Sequence, residues 1–187
     1  MIVIEQGAAP RGREGLAVFS PDRRYRYRLD RAWDRGLPAA TFIGLTPSTA
    51  GATADDQTIR QVCRFAEREG CGQVVMLNLF ALVTTPPGGL GAAADPVGAY
   101  TDTILAASLG QAALAGGLVV AAWGNTSSTG TGPLAAARVR RVRGLLGGRV
   151  VHCLGVTAAG QPRHPCRLAH DAPLLPYQLG GHGARSA

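Results

Sequence analysis

Apolar and polar residues alternate most regularly near the start of the chain. From Arg24 to Leu29, Tyr or Leu occupies every second position and arginine occupies the positions between them. A period of two is typical of a β-strand with one buried face and one face in solvent. This segment therefore predicts an N-terminal edge strand or hairpin. Residues 1–18 mix Gly, Pro and Arg, and we expect them to form a loosely ordered arm.

From residue 39 onward, short apolar runs alternate with segments of helical periodicity. The apolar runs predict buried strands at 39–45, 73–77, 118–123 and 149–154. The segments between them predict helices at 56–69, 97–114 and 133–146. Continuous apolar strands separated by helices are typical of a parallel sheet covered on both faces. We expect a single α/β domain over residues 19–178, a three-layer αβα sandwich with a central four-stranded parallel sheet, and a frayed tail at 179–187.

Composition narrows the class of protein. Hydrophobic residues make up 46% and charged residues 17% of the 187 residues, which excludes a disordered chain and predicts a domain with its own core. The sequence contains no apolar run long enough to span a membrane and no basic start of a signal peptide, so a cytoplasmic protein is expected. Its four cysteines lack the close pairing of a metal site. Neither a metal nor another cofactor is predicted.

The charge suggests partners without deciding between them. All 19 basic residues are arginines, and the formal net charge is +7. A basic surface attracts phosphate groups, whether of a nucleic acid or of a free nucleotide. The arginines gather in residues 23–35 and 138–149, where a solvated face is the alternative to a binding surface. Nucleic-acid binding, nucleotide binding and the codon bias of a GC-rich genome all remain open at this point.

Polar residues follow each of the four predicted parallel strands. In parallel α/β sheets, ligands bind beyond the carboxyl ends of the strands. The four polar clusters are therefore expected to line one cleft. They are residues 46–49, 78–80, 123–125 and 160–165.

The segments that contain these clusters resemble a known family. The stretches GLTPSTAGATADDQTIR, LNLFALVTT, AAWGN and LGVTAAGQPRHPCRL are similar to those of the bacterial family called domain of unknown function 1643. The resemblance runs from about Tyr25 to His170. One departure is that the family usually has Asn-Pro-Ser where this chain has Thr46-Pro47-Ser48.

A more distant resemblance links the order of these segments to the uracil-DNA glycosylase superfamily. Those enzymes have a Gly-x-(Asp/Asn)-Pro loop, a base-reading Asn, a Trp-Gly pair and a His-Pro loop after successive strands. The counterparts here are Gly44–Pro47, Asn78, Trp123-Gly124 and His164-Pro165. The resemblance implies a uracil-DNA glycosylase-like fold and cleavage of an N-glycosidic bond.

Catalytic roles follow from the chemistry of that reaction. Asn78 would read the edge of a base, because its amide offers one acceptor and two donors. His164 would donate a hydrogen bond to the departing base. Thr46 stands where the glycosylases have Asp or Asn, and its hydroxyl can orient a water molecule but cannot take its proton. We expect Asp55 or Asp56 to supply the carboxylate, unless it only caps the following helix.

Other residues complete the predicted site. Substrate binding is assigned to Pro47, Ser48, Thr49, Asn78, Phe80, Trp123, Gly124, Asn125 and Arg163. For Phe80 and Trp123 the alternative is a place in the core, and for Asn78 it is a cap on the following loop. Nucleic-acid contacts are predicted for Arg138, Arg141, Arg167 and Leu168. Leu168 would fill the gap that an extruded base leaves in the duplex.

Two functions are compatible with this pattern. The first is an N-glycosidase that acts on a nucleobase in DNA or in a nucleoside or nucleotide. The second is a binding module that holds a base or nucleotide and has lost hydrolysis through Thr46. A pure interaction protein would leave the polar strand ends without a purpose. The oligomeric state is not predicted.

Overall fold

A mixed β-sheet forms the centre of the computed structural model, which describes residues 1–84, 87–126 and 131–179. Within these residues the strands are β1 (Val3–Ala9), β2 (Arg13–Phe19), β3 (Arg26–Ala32), β4 (Ala39–Gly44), β5 (Gln73–Asn78), β6 (Leu118–Ala121), β7 (His152–Cys153) and β8 (Leu175–Pro176). The α-helices are α1 (Gln57–Arg68), α2 (Thr101–Leu114) and α3 (Gly132–Leu146). The order of strands across the eight-stranded sheet is β1-β2-β3-β5-β4-β6-β7-β8.

The four predicted apolar strands are β4, β5, β6 and β7, and they lie next to one another in parallel. The predicted four-stranded parallel sheet is thus confirmed as the middle of a larger one. Strands β1 to β3 extend it on one side and β8 on the other, all antiparallel to their neighbours. Because β4 runs in register with β5, Gly44 and Asn78 lie side by side at its carboxyl end.

Helices cover both faces of the sheet, which confirms three layers. The stripe of Ile59, Val62, Cys63 and Ala66 on α1 is buried against one face, as the helical spacing predicts. Helices α2 and α3 pack on the other face through residues such as Leu105. None of the described helices is long and apolar enough to cross a membrane.

The N-terminal residues form a hairpin, so the expected loose arm is wrong. Strands β1 and β2 pair along their whole length, and β2 pairs with β3. Ala17 and Phe19 are buried against Ala52 of the loop before α1. Gly15 permits this close approach, because a Cβ atom there would lie 1.8 Å from the carbonyl oxygen of Ala52.

Strand β3 is an interior strand with both faces covered, which corrects the prediction of an edge strand. It pairs with β2 on one side and β5 on the other. Its expected solvent face includes Arg26, which is only 2% exposed. Of the expected frayed tail, only Leu179 lies within the described residues, and it packs against the core beneath α2 and α3.

Candidate functional site

The loops that follow the parallel strands meet at the carboxyl edge of the sheet. The Leu79 N–H donates to the Gly44 carbonyl at 2.9 Å, which joins the loops after β5 and β4. The Gly124 N–H donates to the Pro162 carbonyl at 3.0 Å, which joins the loop after β6 to the segment that precedes His164. Gly124 has a left-handed φ of +75°, and a Cβ atom there would lie 3.2 Å from the His164 Cβ.

Asn78 ends β5 with a buried side chain whose amide is unpaired in the described part of the chain. It is 3% exposed, and neither its Oδ1 nor its Nδ2 has a hydrogen-bond partner within the described residues. Among residues 1–84, 87–126 and 131–179, the side chain therefore makes none of the hydrogen bonds that a loop cap requires. Leaving a buried amide unpaired costs about 1–3 kcal/mol, so such a group calls for an explanation. Gly44 leaves room beside it, since a Cβ there would lie 2.8 Å from the Asn78 Oδ1.

Arg26 is a site residue that the sequence did not indicate. Its Nη1 donates to the Ala50 carbonyl at 2.7 Å and to the Ser48 carbonyl at 3.4 Å. Its buried Nε has no partner in the described part of the chain. Burial lowers the pKa of Arg26 to about 10, although the nearby Asp56 carboxylate acts in the opposite direction. The burial of Arg26 could have been predicted only if β2 had been recognised as a further strand next to β3.

Asp56 connects the start of α1 to the site. Its Oδ1 accepts the Ile59 N–H at 2.7 Å, so the predicted helix cap is confirmed. Its Oδ2 accepts a hydrogen bond from the Ser48 hydroxyl. The carboxylate also interacts electrostatically with Arg26 and His164. Asp56 therefore caps α1 and is also the carboxylate that interacts with Ser48, Arg26 and His164, which together form the cluster at the site.

His164 faces the cluster as a neutral hydrogen-bond donor. Its Nδ1 accepts the Cys166 N–H at 3.3 Å, which assigns the proton of the neutral ring to Nε2. Burial lowers the pKa of His164, and the Asp56 carboxylate opposes this shift more weakly. The imidazole can thus donate at Nε2 without carrying a charge.

The remaining residues of the loop after β4 have distinct places. Asp55 forms a buried ion pair with Arg31 at 2.7 Å, in which the two side chains are 2% and 0% exposed. That pair holds Asp55 in the loop and leaves Asp56 as the carboxylate next to Ser48. Thr46 is half-buried, and its hydroxyl has no hydrogen-bond partner among residues 1–84, 87–126 and 131–179. Pro47 is buried and Thr49 is exposed.

Phe80 and Trp123 belong to the core, so their predicted contact with substrate is wrong. Both lie in the apolar cluster beneath α2 and α3. Trp123 also donates from Nε1 to the Gln161 Oε1 at 3.1 Å and packs edge-on against Tyr177. Side chains alternate along a strand, and Trp123 follows the residues of β6 that face α2 and α3. Asn78 shares instead the face of Met76, which packs toward α1.

The predicted phosphate contacts on α3 lie on that opposite face as well. Arg138 is buried, and it donates to the Leu79 carbonyl at 2.8 Å and to the Asp102 carboxylate at 2.7 Å. Arg141 is exposed and pairs with the other oxygen of Asp102. These arginines join α3 to α2, so the prediction of a nucleic-acid contact is wrong for Arg138.

Residues after β7 and β6 vary in exposure. Arg163, Arg167 and Asn125 are exposed. Leu168, predicted to project into a duplex, packs instead against the core beneath α1. Because its side chain is partly buried in that contact, Leu168 does not project from the surface as a wedge would.

A comparison with protein-family models assigns the chain to a known family. The model described as "Protein of unknown function (DUF1643)" matches residues 26–166, which include Arg26, Asp56, Asn78 and His164. The resemblance to that family is thus confirmed. No curated protein and no solved structure matches the chain.

Proposed function

We propose that this chain, which belongs to the DUF1643 family, is an N-glycosidase that acts on a nucleobase held against Asn78. The observation that carries the proposal is the buried Asn78 amide, both of whose polar atoms lack a partner among the residues that the structure describes. The order of the strand-end segments, which resembles that of the uracil-DNA glycosylase superfamily, supports the same reaction. The fold of that superfamily is part of the proposal.

Base recognition would use the amide as a planar pair of donor and acceptor. Nucleobases present a ring N–H beside a carbonyl oxygen, or a ring nitrogen beside an amino group, in one plane. The Asn78 Oδ1 and Nδ2 would match such an edge. Pairing would recover the cost of about 1–3 kcal/mol that the empty site carries.

Departure of the base would be stabilised by His164. As the N-glycosidic bond breaks, its electron pair moves to the base, and negative charge accumulates on the base carbonyl oxygen. The His164 Nε2–H would donate a hydrogen bond to that oxygen, because burial keeps the ring neutral. The positive charge of buried Arg26 would favour the same anion.

Water would attack the sugar carbon from the side of Ser48 and Asp56. The Ser48 hydroxyl donates to Asp56, which leaves its lone pairs available to hold a water molecule. Thr46 offers a second hydroxyl for orientation. The water would form the new C–O bond, and Asp56 would accept its proton. The negative carboxylate would also stabilise the positive charge that develops on the sugar ring.

A binding module is the second candidate, and one observation favours it. Both oxygens of Asp56 already accept hydrogen bonds from the chain, and Thr46 cannot remove a proton. In that case the site would hold a base or nucleotide without cleaving it.

Single-turnover base release from uracil-containing DNA, alkylated DNA and free nucleotides tests the proposal. We expect release by the wild type and a higher rate for Thr46→Asn, on the order of 10²-fold, with nearly unchanged affinity. Affinity without release in either protein would favour the binding module. A protein that neither binds nor cleaves any of these substrates would contradict both functions.

A further inference from the structure

A groove lined by arginine and glutamine lies between the β1–β2 turn and the outer face of α1. Its volume is about 370 Å³. The lining residues are Arg11, Arg13, Gln57, Arg60, Gln61 and Arg64. Among the described residues that line it there is no carboxylate. The groove is therefore created by the β1–β2 pair, which lies in the segment expected to be a loosely ordered arm.

The positive charge of the groove is largely uncompensated. Arg13 pairs with Glu67, whereas Arg60 donates to the Asp55 carbonyl at 3.0 Å and Arg64 to the Gln61 Oε1 at 3.4 Å. Within residues 1–84, 87–126 and 131–179, Arg11, Arg60 and Arg64 have no ion-pair partner. Like charges held around one space repel each other unless an anion occupies it.

The geometry of the groove suits a chain of phosphates. Arg60 and Arg64 are one helical turn apart on α1, or about 6 Å along its axis. Arg11 faces them from the turn of the hairpin, where it adopts a left-handed backbone with φ of 64°. Guanidinium groups bind phosphate oxygens through paired N–H donors.

The groove adjoins the site of the proposed reaction. Gln57 lines it and follows Asp56 directly. The Gln57 Nε2 donates to the Cys166 carbonyl at 2.9 Å, and the Cys166 N–H donates to His164. Gln57 of α1 thus lies between the groove and the proposed reaction site.

We propose that this groove binds the phosphodiester backbone of a polynucleotide, so that the base held at Asn78 belongs to a nucleic acid strand and not to a free nucleotide. The choice of ligand rests on the proposed function. The groove itself rests on the arginines.

The test compares two double variants of equal charge. Arg60→Gln with Arg64→Gln changes the groove, and Arg140→Gln with Arg143→Gln changes exposed residues of α3 on the opposite face. Fluorescence anisotropy measures binding of a labelled single-stranded oligonucleotide of about 16 nucleotides over a series of salt concentrations. We expect the groove variant to bind more weakly and to reduce the slope of log K against log salt by about 1.4, or about 0.7 for each lost phosphate contact. The α3 variant should retain the wild-type slope.

Equal losses of oligonucleotide affinity in both double variants, or no binding by the wild type, would overturn the proposed role of the groove. Calorimetry with a nucleoside monophosphate should give the same affinity for the wild type and the groove variant, and a loss in the groove variant would overturn the choice of a polymer. Failure of the proposed function has a different signature. In that case the groove variant still loses oligonucleotide affinity, whereas Asn78→Ala changes neither affinity nor base release.

Discussion

At the carboxyl edge of the sheet, the two faces differ in whether their buried polar groups form hydrogen bonds. On the α2–α3 face, Arg138 and Trp123 both reach hydrogen-bond acceptors. On the α1 face, Asn78 and Arg26 keep buried polar atoms without a partner in the described chain. Native proteins seldom leave such atoms unpaired. Satisfied groups hold the fold together, and the unsatisfied ones indicate where a ligand is expected.

The largest effect is expected when the hydrogen-bond donor on the α1 face, His164, is removed. His164→Ala should lower the rate of single-turnover base release by about 10²–10³-fold, because a donor to the departing base is lost. Tyr177→Phe is the control on the other face, where it removes a hydroxyl that donates to the Gly160 carbonyl and should leave the rate unchanged. A similar loss in both variants would show that the two faces are not separate in function.

For stability we expect the larger loss on the α2–α3 face and little or no loss on the α1 face. Arg138→Leu should lower the free energy of unfolding by about 2 kcal/mol, because it leaves the Leu79 carbonyl without its donor. Asn78→Leu should leave that free energy unchanged or raise it by about 1 kcal/mol, because its amide loses no hydrogen bond. Urea denaturation of both variants measures the difference. Strong destabilisation by Asn78→Leu would mean that the amide serves the fold.

A smaller effect concerns pH. The unfolded chain binds a proton at His164 near the ordinary pKa of 6.5, whereas the folded chain binds it only at lower pH. The unfolded state then holds more protons, so stability should fall as the pH decreases below 6.5, by at most about 1.4 kcal/mol per pH unit. His164→Gln should remove this part of the slope, and His170→Gln, at an exposed position, should retain it. Equal slopes for the wild type and His164→Gln would contradict the shift.

The parallel strands could be predicted because their apolar runs and the α1 stripe are periodic or continuous. The pattern also predicted a cap on α1 by Asp55 or Asp56, and the structure selects Asp56. The pairing of β1 with β2 could not be predicted, since small residues such as Gly15 and Ala17 carry little periodicity and are buried by close packing with Ala52. For the same reason the burial of Arg26 had no local signal.

The sequence pattern also could not show on which face of the sheet each strand-end residue lies. Strands buried on both faces are apolar at every position, so the period of two does not show which residues face which helix. Phe80 and Trp123 were grouped with Asn78 because all three follow strands. The structure separates them, because Asn78 lies toward α1 while both aromatic rings lie beneath α2 and α3.

Crystals of the protein soaked with free uracil, cytosine, adenine and guanine test the central claim most directly. We expect electron density for at least one base on the α1 side, with hydrogen bonds to both the Oδ1 and the Nδ2 of Asn78, and no density in crystals of Asn78→Leu. A base bound elsewhere, or an Asn78 amide that pairs with the chain and ignores every base, would contradict the account.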